Sequence, residues 1–183
     1  MRNQFWYWEA AISPERCDEI IEQCKQAPEQ KGTTFKDGVY NENNDVRNST
    51  IRWVQDIPGI TNTLWPYVWE SNRMAYNFDI NCIFDVQFTE YNGEENEFYS
   101  WHHDVDFTRD VGYDRKISVI IQLSDPEDYE GGEFQFRHLQ TPEGFKKRGS
   151  VLTFPSYLEH QVTTVTEGQR YSLVSWVEGP RWR

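Results

Sequence analysis

The N-terminal part of the chain has the apolar spacing of a helix, followed by a long polar segment. Ser13 is a preferred N-cap residue, and Pro14 suits the first helical position. The apolar positions that follow have the i, i+3, i+4, i+7 spacing of one helical face: Cys17, Ile20, Ile21 and Cys24. Pro28 ends this predicted helix. Residues 29–50 are polar and show no periodicity, so we expect a long loop that acts as a lid.

A second helical face is formed by Leu64, Val68, Ser71 and Ala75. Pro66 lies within this span. A proline has no backbone N–H to donate, so it is tolerated without cost only near the start of a helix. The pattern therefore predicts a second helix with Pro66 in its first turn.

After residue 80 the apolar positions alternate, as they do in strands. The two faces of residues 83–91 are Phe84, Val86 and Phe88 on one side and Ile83, Asp85, Gln87, Thr89 and Tyr91 on the other. Further strands are predicted at 116–124, 133–137, 150–154, 161–166 and 170–177. This spacing predicts a mainly β fold, a sandwich or barrel, in which helices come first and an all-β half follows. The polar second face fits either a solvent-exposed sheet or the wet interior of a jelly roll, and alternation alone leaves both open.

Length and composition narrow the class of protein. The 183 residues suffice for one domain, and an aromatic content of 16% excludes a disordered chain. The net charge of −12 argues against binding to nucleic acid. Three cysteines (Cys17, Cys24 and Cys82) cannot form a disulfide framework, and Cys17 and Cys24 are interpreted as core residues. No apolar run reaches the roughly 20 residues that span a bilayer. We expect a soluble, cytoplasmic protein without membrane contact.

Candidate metal ligands lie among the four histidines. His102 and Asp104 are two residues apart, so in extended chain their side chains point the same way. His160 follows 58 residues after His102. Two histidines and one carboxylate form the facial triad of non-haem Fe(II) oxygenases, which leaves coordination positions open for other ligands. His103 points the other way in a strand and is not expected to bind metal, and His138 is expected on the surface.

A candidate carboxylate receptor follows in the next predicted strand. Arg170 and Ser172 share one strand face, and a guanidinium beside a hydroxyl offers fork geometry plus a third donor. The residues after Arg170 are nearly uncharged, so a surface position for this arginine is disfavoured. Trp176 lies on the same face, where it either walls a pocket or packs in the core.

Residues 91–104 (YNGEENEFYSWHHD), 115–136 and 149–176 carry these motifs in order. They resemble the 2-oxoglutarate- and Fe(II)-dependent dioxygenase superfamily, in particular its prolyl 4-hydroxylase-like (PKHD-type hydroxylase) branch. The N-terminal helices and residues 46–50 resemble that branch more weakly. The resemblance implies a double-stranded β-helix, or jelly roll, with the N-terminal helices packed on one sheet. It implies a single domain over 1–183, with 1–80 as helical support and lid loop and 81–178 as the jelly-roll core.

The resemblance also implies the cofactors and their ligands. His102, Asp104 and His160 would bind Fe(II), and 2-oxoglutarate would chelate the metal. Its distal carboxylate would pair with Arg170, helped by Ser172. The remaining cosubstrate candidates are Tyr91, which matches a family tyrosine, and Gln122, which stands where some relatives place a tyrosine. Gln122 is thus either a weaker ligand or only part of the lining.

The reaction implied by the resemblance is hydroxylation of an unactivated C–H bond with O₂, releasing succinate and CO₂, with ascorbate as a candidate stimulant. The expected substrate is a prolyl residue or another amino acid or peptide. Alternatives are the same chemistry on a small molecule or a nucleic acid, and a non-catalytic jelly-roll binding module. The nucleic-acid alternative is disfavoured by the charge and by Trp176, where that branch has a second arginine. The sequence does not indicate the oligomeric state.

Two loops, 29–50 and 93–100, are expected to border the entrance. Three glutamates in the second loop either attract a cationic substrate or form a solvated acidic surface: Glu94, Glu95 and Glu97. Arg47, in the first loop, either lies near the site or forms an ordinary surface ion pair.

Overall fold

The computed structural model describes residues 4–36, 39–81, 83–108 and 111–183, without the side chains of 35–36, 39–41 and 83–84. Cys82 therefore lies outside the described residues, as do the side chains of Ile83 and Phe84. None of the helices formed by the described part of the chain is long and apolar enough to cross a membrane.

The first predicted helix is confirmed. Helix α1 spans Pro14–Cys24, and the Oγ of Ser13 accepts a hydrogen bond from the backbone N–H of Arg16. Cys17 and Cys24 are fully buried in the core, as expected. Burial raises the pKa of both thiols, that of Cys24 to about 12, so they pack as neutral apolar groups.

The second helix begins earlier than predicted. Helix α2 spans Ile60–Ser71 and continues into a π-helical turn at Asn72–Tyr76. Pro66 lies in its second turn, so the prediction that placed it in the first turn is wrong. Ile60, Leu64 and Val68 are fully buried, and this packing offsets the backbone hydrogen bond that the proline removes.

Fourteen strands are formed by the described residues. In chain order they are β1 (Trp6–Trp8), β2 (Gln30–Lys31), β3 (Thr34–Lys36), β4 (Val39–Asn41), β5 (Arg47–Asn48), β6 (Thr50–Trp53), β7 (Ile83–Asn92), β8 (Phe98–His102), β9 (Tyr113–Gln122), β10 (Tyr129–Gly131), β11 (Phe134–Phe136), β12 (Val151–Pro155), β13 (His160–Val162) and β14 (Val165–Pro180). Short 3₁₀ turns occur at Gly93–Glu95 and Glu143–Lys146.

Two antiparallel sheets build the core architecture. The major sheet has the order β1-β12-β9-β14-β7-β6-β2, with β10 on the end of β14, and the minor sheet has the order β11-β13-β8-β5. Strands β3 and β4 form a separate hairpin. This is the expected jelly roll.

The major sheet has two different faces. Its outer face packs against α1 and α2 through fully buried residues such as Val86, Phe88, Val119 and Leu173. Its inner face meets the minor sheet, where Leu152 and Phe154 pack against Phe134, Phe136 and Val162. The helices thus cover one side of the sheet, and the other side is available to a site between the sheets.

The N-terminal region departs from the expectation of helices and loop. Strand β1 pairs with β12, β5 pairs with β8, and β6 pairs with β7, so both sheets recruit strands from before residue 54. The segment 29–50, expected as a long loop, instead contains the short strands β2, β3, β4 and β5. The strands there have two or three residues each, which is too short for a period of two to be visible.

Candidate active site

Three side chains come together between the two sheets, where strand β8 ends and strand β13 begins. His102 ends β8, and His160 begins β13 directly opposite it in the strand register. Asp104 follows β8, and its backbone N–H donates to the carbonyl of Ser156. One potential ligand atom from each of His102, Asp104 and His160 lies within 4.8 Å of the other two. The predicted triad is therefore assembled.

Both imidazoles are oriented in the same way. The Nδ1 of His102 lies 2.8 Å from the carbonyl oxygen of Ser100, and the Nδ1 of His160 lies 2.9 Å from that of Leu158. Since a carbonyl only accepts, each Nδ1 carries a proton, so in the neutral form of either ring Nε2 keeps its lone pair. The two Nε2 atoms lie 3.8 and 3.7 Å from the oxygens of Asp104. This is how histidines are held when they ligate a metal.

The protonation states also suit a cation. Burial, followed by the neighbouring His160, holds the pKa of His102 well below its ordinary value, so this ring is neutral at pH 7. Burial alone would raise the pKa of Asp104, but His160, His102, Arg115 and Ser118 together lower it. The Oγ of Ser118 donates a 2.6 Å hydrogen bond to Oδ2 of Asp104. A neutral imidazole at His102 and an ionised carboxylate at Asp104 fit Fe(II).

A cavity of about 880 Å³ opens above these three residues. The polar face of β7 lines it with Asp85, Gln87, Thr89 and Tyr91, and β14 contributes Arg170, Ser172, Val174 and Trp176. The interpretation of the alternating strands as a wet interior is thereby confirmed. The segment 29–50 also lines the cavity, through residues that include Thr33, Asn43 and Arg47.

Arg170 is buried at one end of this cavity. Its side chain is among the largest fully buried ones, and its Nη1 has no hydrogen-bond partner among the described residues. The guanidinium lies 5.5 Å from the ring of Tyr91, and Gly132 allows a close approach, since a Cβ there would meet Cδ of Arg170 at 2.8 Å. A buried cation with an unused donor fits the distal carboxylate of 2-oxoglutarate.

The two remaining cosubstrate candidates differ in position. Ser172 is buried and lines the main cavity. Gln122 does not line it: its Nε2 donates to the hydroxyl of Tyr129, and both residues line a second cavity of about 430 Å³ behind Arg170. Arg170 lies near enough to Tyr129 to lower the pKa of its phenol, against the larger effect of burial. Ser172 and Tyr91 thus line the main cavity, whereas Gln122 lines only the second one.

Trp176 lines the same cavity, six residues after Arg170 on the same face of β14. It is 6% exposed, and the guanidinium of Arg115 lies 3.9 Å over its ring. Arg115 also pairs with Asp85 at 3.4 Å. The interpretation of Trp176 as a pocket wall is confirmed, whereas Arg115 was not singled out in the sequence because a basic residue at a strand start has no distinctive pattern.

Tyr99 contacts the metal cluster, although the alternation of residues along its strand does not predict this. Its ring stacks on His102 with centroids 3.5 Å apart, and the guanidinium of Arg47 lies 4.5 Å over it. Strict alternation would put residues 99 and 102 on opposite faces. The pairing of β8 with β13 is irregular here, since His160 pairs with His102 and Val162 with Tyr99. The bulge brings the two rings to one face.

Other candidates lie away from the metal ligands. His138 is exposed, as predicted, and His103 is exposed at the cavity rim outside the ligand cluster. Glu94, Glu95 and Glu97 do not line the cavity. Glu97 is buried, and its carboxylate accepts a hydrogen bond from Asn92 N–H and pairs with Lys31. It is neither an attractor of cations nor a solvated surface group.

Comparison with known proteins agrees with this geometry. The family model described as the 2OG-Fe(II) oxygenase superfamily matches residues 86–178, just over half of the chain. The chain belongs to this superfamily. A PKHD-type hydroxylase of Shewanella frigidimarina is 28% identical over 148 residues, which cover 75% of this chain and 60% of that protein. The chain spans between 28% and 60% of the length of the curated relatives it matches.

Solved structures share the fold. A Pseudomonas putida prolyl-4-hydroxylase has a TM-score of 0.73 at 16% identity, covering 99% of this chain and 95% of that one. A Trichoplax adhaerens prolyl hydroxylase, in complex with a hypoxia inducible factor peptide, has a TM-score of 0.74 at 18% identity, covering 96% and 84%. At these identities the likeness concerns the fold alone, and it matches the jelly roll described above.

Proposed function

We propose that this member of the 2OG-Fe(II) oxygenase superfamily is a hydroxylase of an amino acid or a peptide, acting as one domain over residues 1–183. In the reaction, substrate R–H, O₂ and 2-oxoglutarate give R–OH, succinate and CO₂. The observation that carries the proposal is the presence, in one cavity, of the His102–Asp104–His160 cluster and the buried, incompletely bonded Arg170.

His102, Asp104 and His160 would hold Fe(II), which supplies the O₂ activation that protein side chains cannot. The backbone carbonyls behind both histidines fix the tautomer that presents Nε2 to the metal. Arg170 would bind the distal carboxylate of 2-oxoglutarate, with Ser172 and Tyr91 beside it and Gln122 acting through Tyr129. Trp176 and Tyr99 form apolar walls that exclude water and position the substrate C–H bond.

The chemistry of the site separates the proposal from its alternatives. Nucleic acid is disfavoured by the net charge of −12 and by the carboxylates along the cavity, among them Asp85 and Asp106. A binding module without activity would have no use for two imidazoles held in one tautomer beside an ionised carboxylate.

The test is Fe(II)-dependent conversion of 2-oxoglutarate to succinate, measured with ascorbate and without any other substrate. Wild type is expected to turn over slowly, and His160→Ala to abolish turnover. His138→Ala makes the same substitution at an exposed position and is expected to behave as wild type. If wild type shows neither turnover nor anaerobic binding of 2-oxoglutarate in the presence of Fe(II), the hydroxylase proposal fails and the binding module takes its place.

A further inference from the structure

Three arginines among the described residues line the main cavity, and they differ in their partners. Arg115 pairs with Asp85. Arg170 has the distal carboxylate of 2-oxoglutarate as its proposed partner. Arg47 has no carboxylate within 4.0 Å among the described residues, although it is only 5% exposed. It is therefore the one cation of this group with no assigned anion.

Within the described part of the chain, Arg47 contacts only neutral groups. Its Nε donates to Oγ of Ser49 at 2.9 Å, and its Nη1 donates to the carbonyl of Thr33 at 3.3 Å. These bonds fix the direction of the guanidinium but leave its charge uncompensated. Holding a buried charge in this way is costly unless a ligand neutralises it. The alternative of an ordinary surface ion pair is wrong, because Arg47 is buried and has no carboxylate partner among the described residues.

The chain makes room for this arrangement at Gly32. A Cβ at this position would come within 2.5 Å of both Nε of Arg47 and Oγ of Ser49. The backbone N–H of Gly32 also donates to the carbonyl of Ser49 at 2.8 Å. The segment therefore clamps the arginine in one conformation, which is the preorganisation that a ligand-binding side chain needs.

Arg47 also lies close to the reacting centre. Its guanidinium lies 4.5 Å over the ring of Tyr99, and Tyr99 stacks directly on the metal ligand His102. The guanidinium of Arg47 is thus separated from the metal ligand His102 by one aromatic ring.

We infer that Arg47 binds a carboxylate of the substrate, so that the enzyme acts on a free amino acid, or on the C-terminal residue of a peptide, rather than on an internal residue. The inference rests on the hydroxylase function proposed above and narrows its substrate class. A fork of guanidinium donors matches a carboxylate. Because the guanidinium lies close to the metal ligands, the reacting carbon must lie near the carboxylate of the substrate, which limits the substrate to a small acid.

The experiment compares acids with their amides. The twenty proteinogenic amino acids, their α-carboxamides and Gly-Xaa dipeptides are tested for stimulating 2-oxoglutarate consumption above the rate without substrate. Hydroxylated product is identified by mass spectrometry. At least one free acid or dipeptide is expected to be hydroxylated. Its amide is expected to have a kcat/KM lower by about ten- to a hundredfold, the effect of losing a charged hydrogen-bonded pair.

Substitutions then test whether Arg47 causes the preference for the acid over its amide. In Arg47→Gln the ratio of kcat/KM for acid over amide is expected to fall close to one, and Arg47→Lys is expected to retain part of it. Gly32→Ala displaces the guanidinium without removing its charge and is expected to lower the ratio as well. Because acid and amide are compared within one variant, a general loss of activity cancels. Arg137→Gln, which removes a charge outside the cavity lining, is expected to keep the wild-type ratio.

The possible outcomes are distinct. A free amino acid as substrate and a dipeptide as substrate both support the inference and identify the source of the carboxylate. The inference is overturned if no acid in the panel is hydroxylated, if the amides react as well as the acids, or if Arg47→Gln keeps the wild-type ratio. Failure of the hydroxylase function itself is recognised separately, by the absence of Fe(II)-dependent 2-oxoglutarate turnover or binding in wild type.

Discussion

The hydroxyl of Ser118 is expected to strengthen metal binding although it is not itself a metal ligand. It is fully buried on β9 and donates a 2.6 Å hydrogen bond to Oδ2 of Asp104. A hydrogen bond of this length to an ionised carboxylate is charge-assisted and fixes the orientation of the acceptor. The Oγ of Ser156 lies 3.0 Å from the Oγ of Ser118 and belongs to the same hydrogen-bond network. Ser118→Ala removes the donor and leaves Asp104 free to rotate.

The expected loss of Fe(II) affinity is taken from comparable metal sites in other proteins. Removing an outer hydrogen bond to a metal ligand weakens metal binding by about 10–100-fold, which corresponds to about 1.4–2.7 kcal/mol. Ser118→Ala is therefore expected to raise the Kd for Fe(II) by that factor. The assay is anaerobic calorimetric titration of Fe(II) into metal-free protein, with Mn(II) as a second, redox-stable cation.

Ser175→Ala is the matched control. Ser175 is also fully buried in the major sheet, and its hydroxyl donates at 2.9 Å to the carbonyl of Asp85, outside the metal cluster. Both variants are expected to lose about 1 kcal/mol of stability, as for any deleted buried hydrogen bond. Only Ser118→Ala is expected to lose metal affinity. Equal Fe(II) affinity in the two variants would refute the role assigned to the Ser118 hydroxyl.

Three further outcomes are expected. Arg170→Gln should raise the Kd of 2-oxoglutarate about ten- to a hundredfold by anaerobic titration, while Arg137→Gln keeps the wild-type value; equal Kd values would exclude Arg170 as the receptor. The metal-free protein should lose stability as the pH falls from 7 to 5.5, because only the unfolded chain protonates His102 near 6.5, with a slope of up to about 1.4 kcal/mol per pH unit. His102→Gln should flatten this slope in chemical denaturation, and an unchanged slope would contradict the assignment. Ser13→Ala should lower the unfolding free energy by about 1 kcal/mol through loss of the N-cap of α1, whereas an unchanged value would show that the cap contributes nothing.

The parts of the site that follow regular periodicity could be predicted from the sequence. Strand β14 keeps an unbroken antiparallel register with β7 from Gln169 to Trp176, so Arg170, Ser172 and Trp176 reach one face as a period of two requires. Asp104 and the two histidines have metal-binding side chains of a kind that few residue types share, so they are recognisable although His160 lies 58 positions after His102.

The parts that depend on irregular or distant contacts could not be predicted. The stacking of Tyr99 on His102 needs a bulge, which shifts the face of a residue without leaving a mark in the apolar pattern. The burial of Glu97 needs Lys31, which comes from a strand of two residues. Arg47 was recognised only as ambiguous, because its lack of a carboxylate partner is a property of the assembled cavity.

The position of β14 in the major sheet has a consequence for synthesis of the chain. This strand lies between β9 and β7, yet it follows both of them in the sequence. During translation those two strands leave the ribosome with no partner between them, and the edges that β14 joins stay unpaired until residues 165–180 emerge. The major sheet therefore cannot be completed before β14 has been synthesised. Chains that terminate before residue 165 are expected to aggregate rather than to accumulate as a partly folded metal-binding fragment, which centrifugation of truncated translation products would reveal.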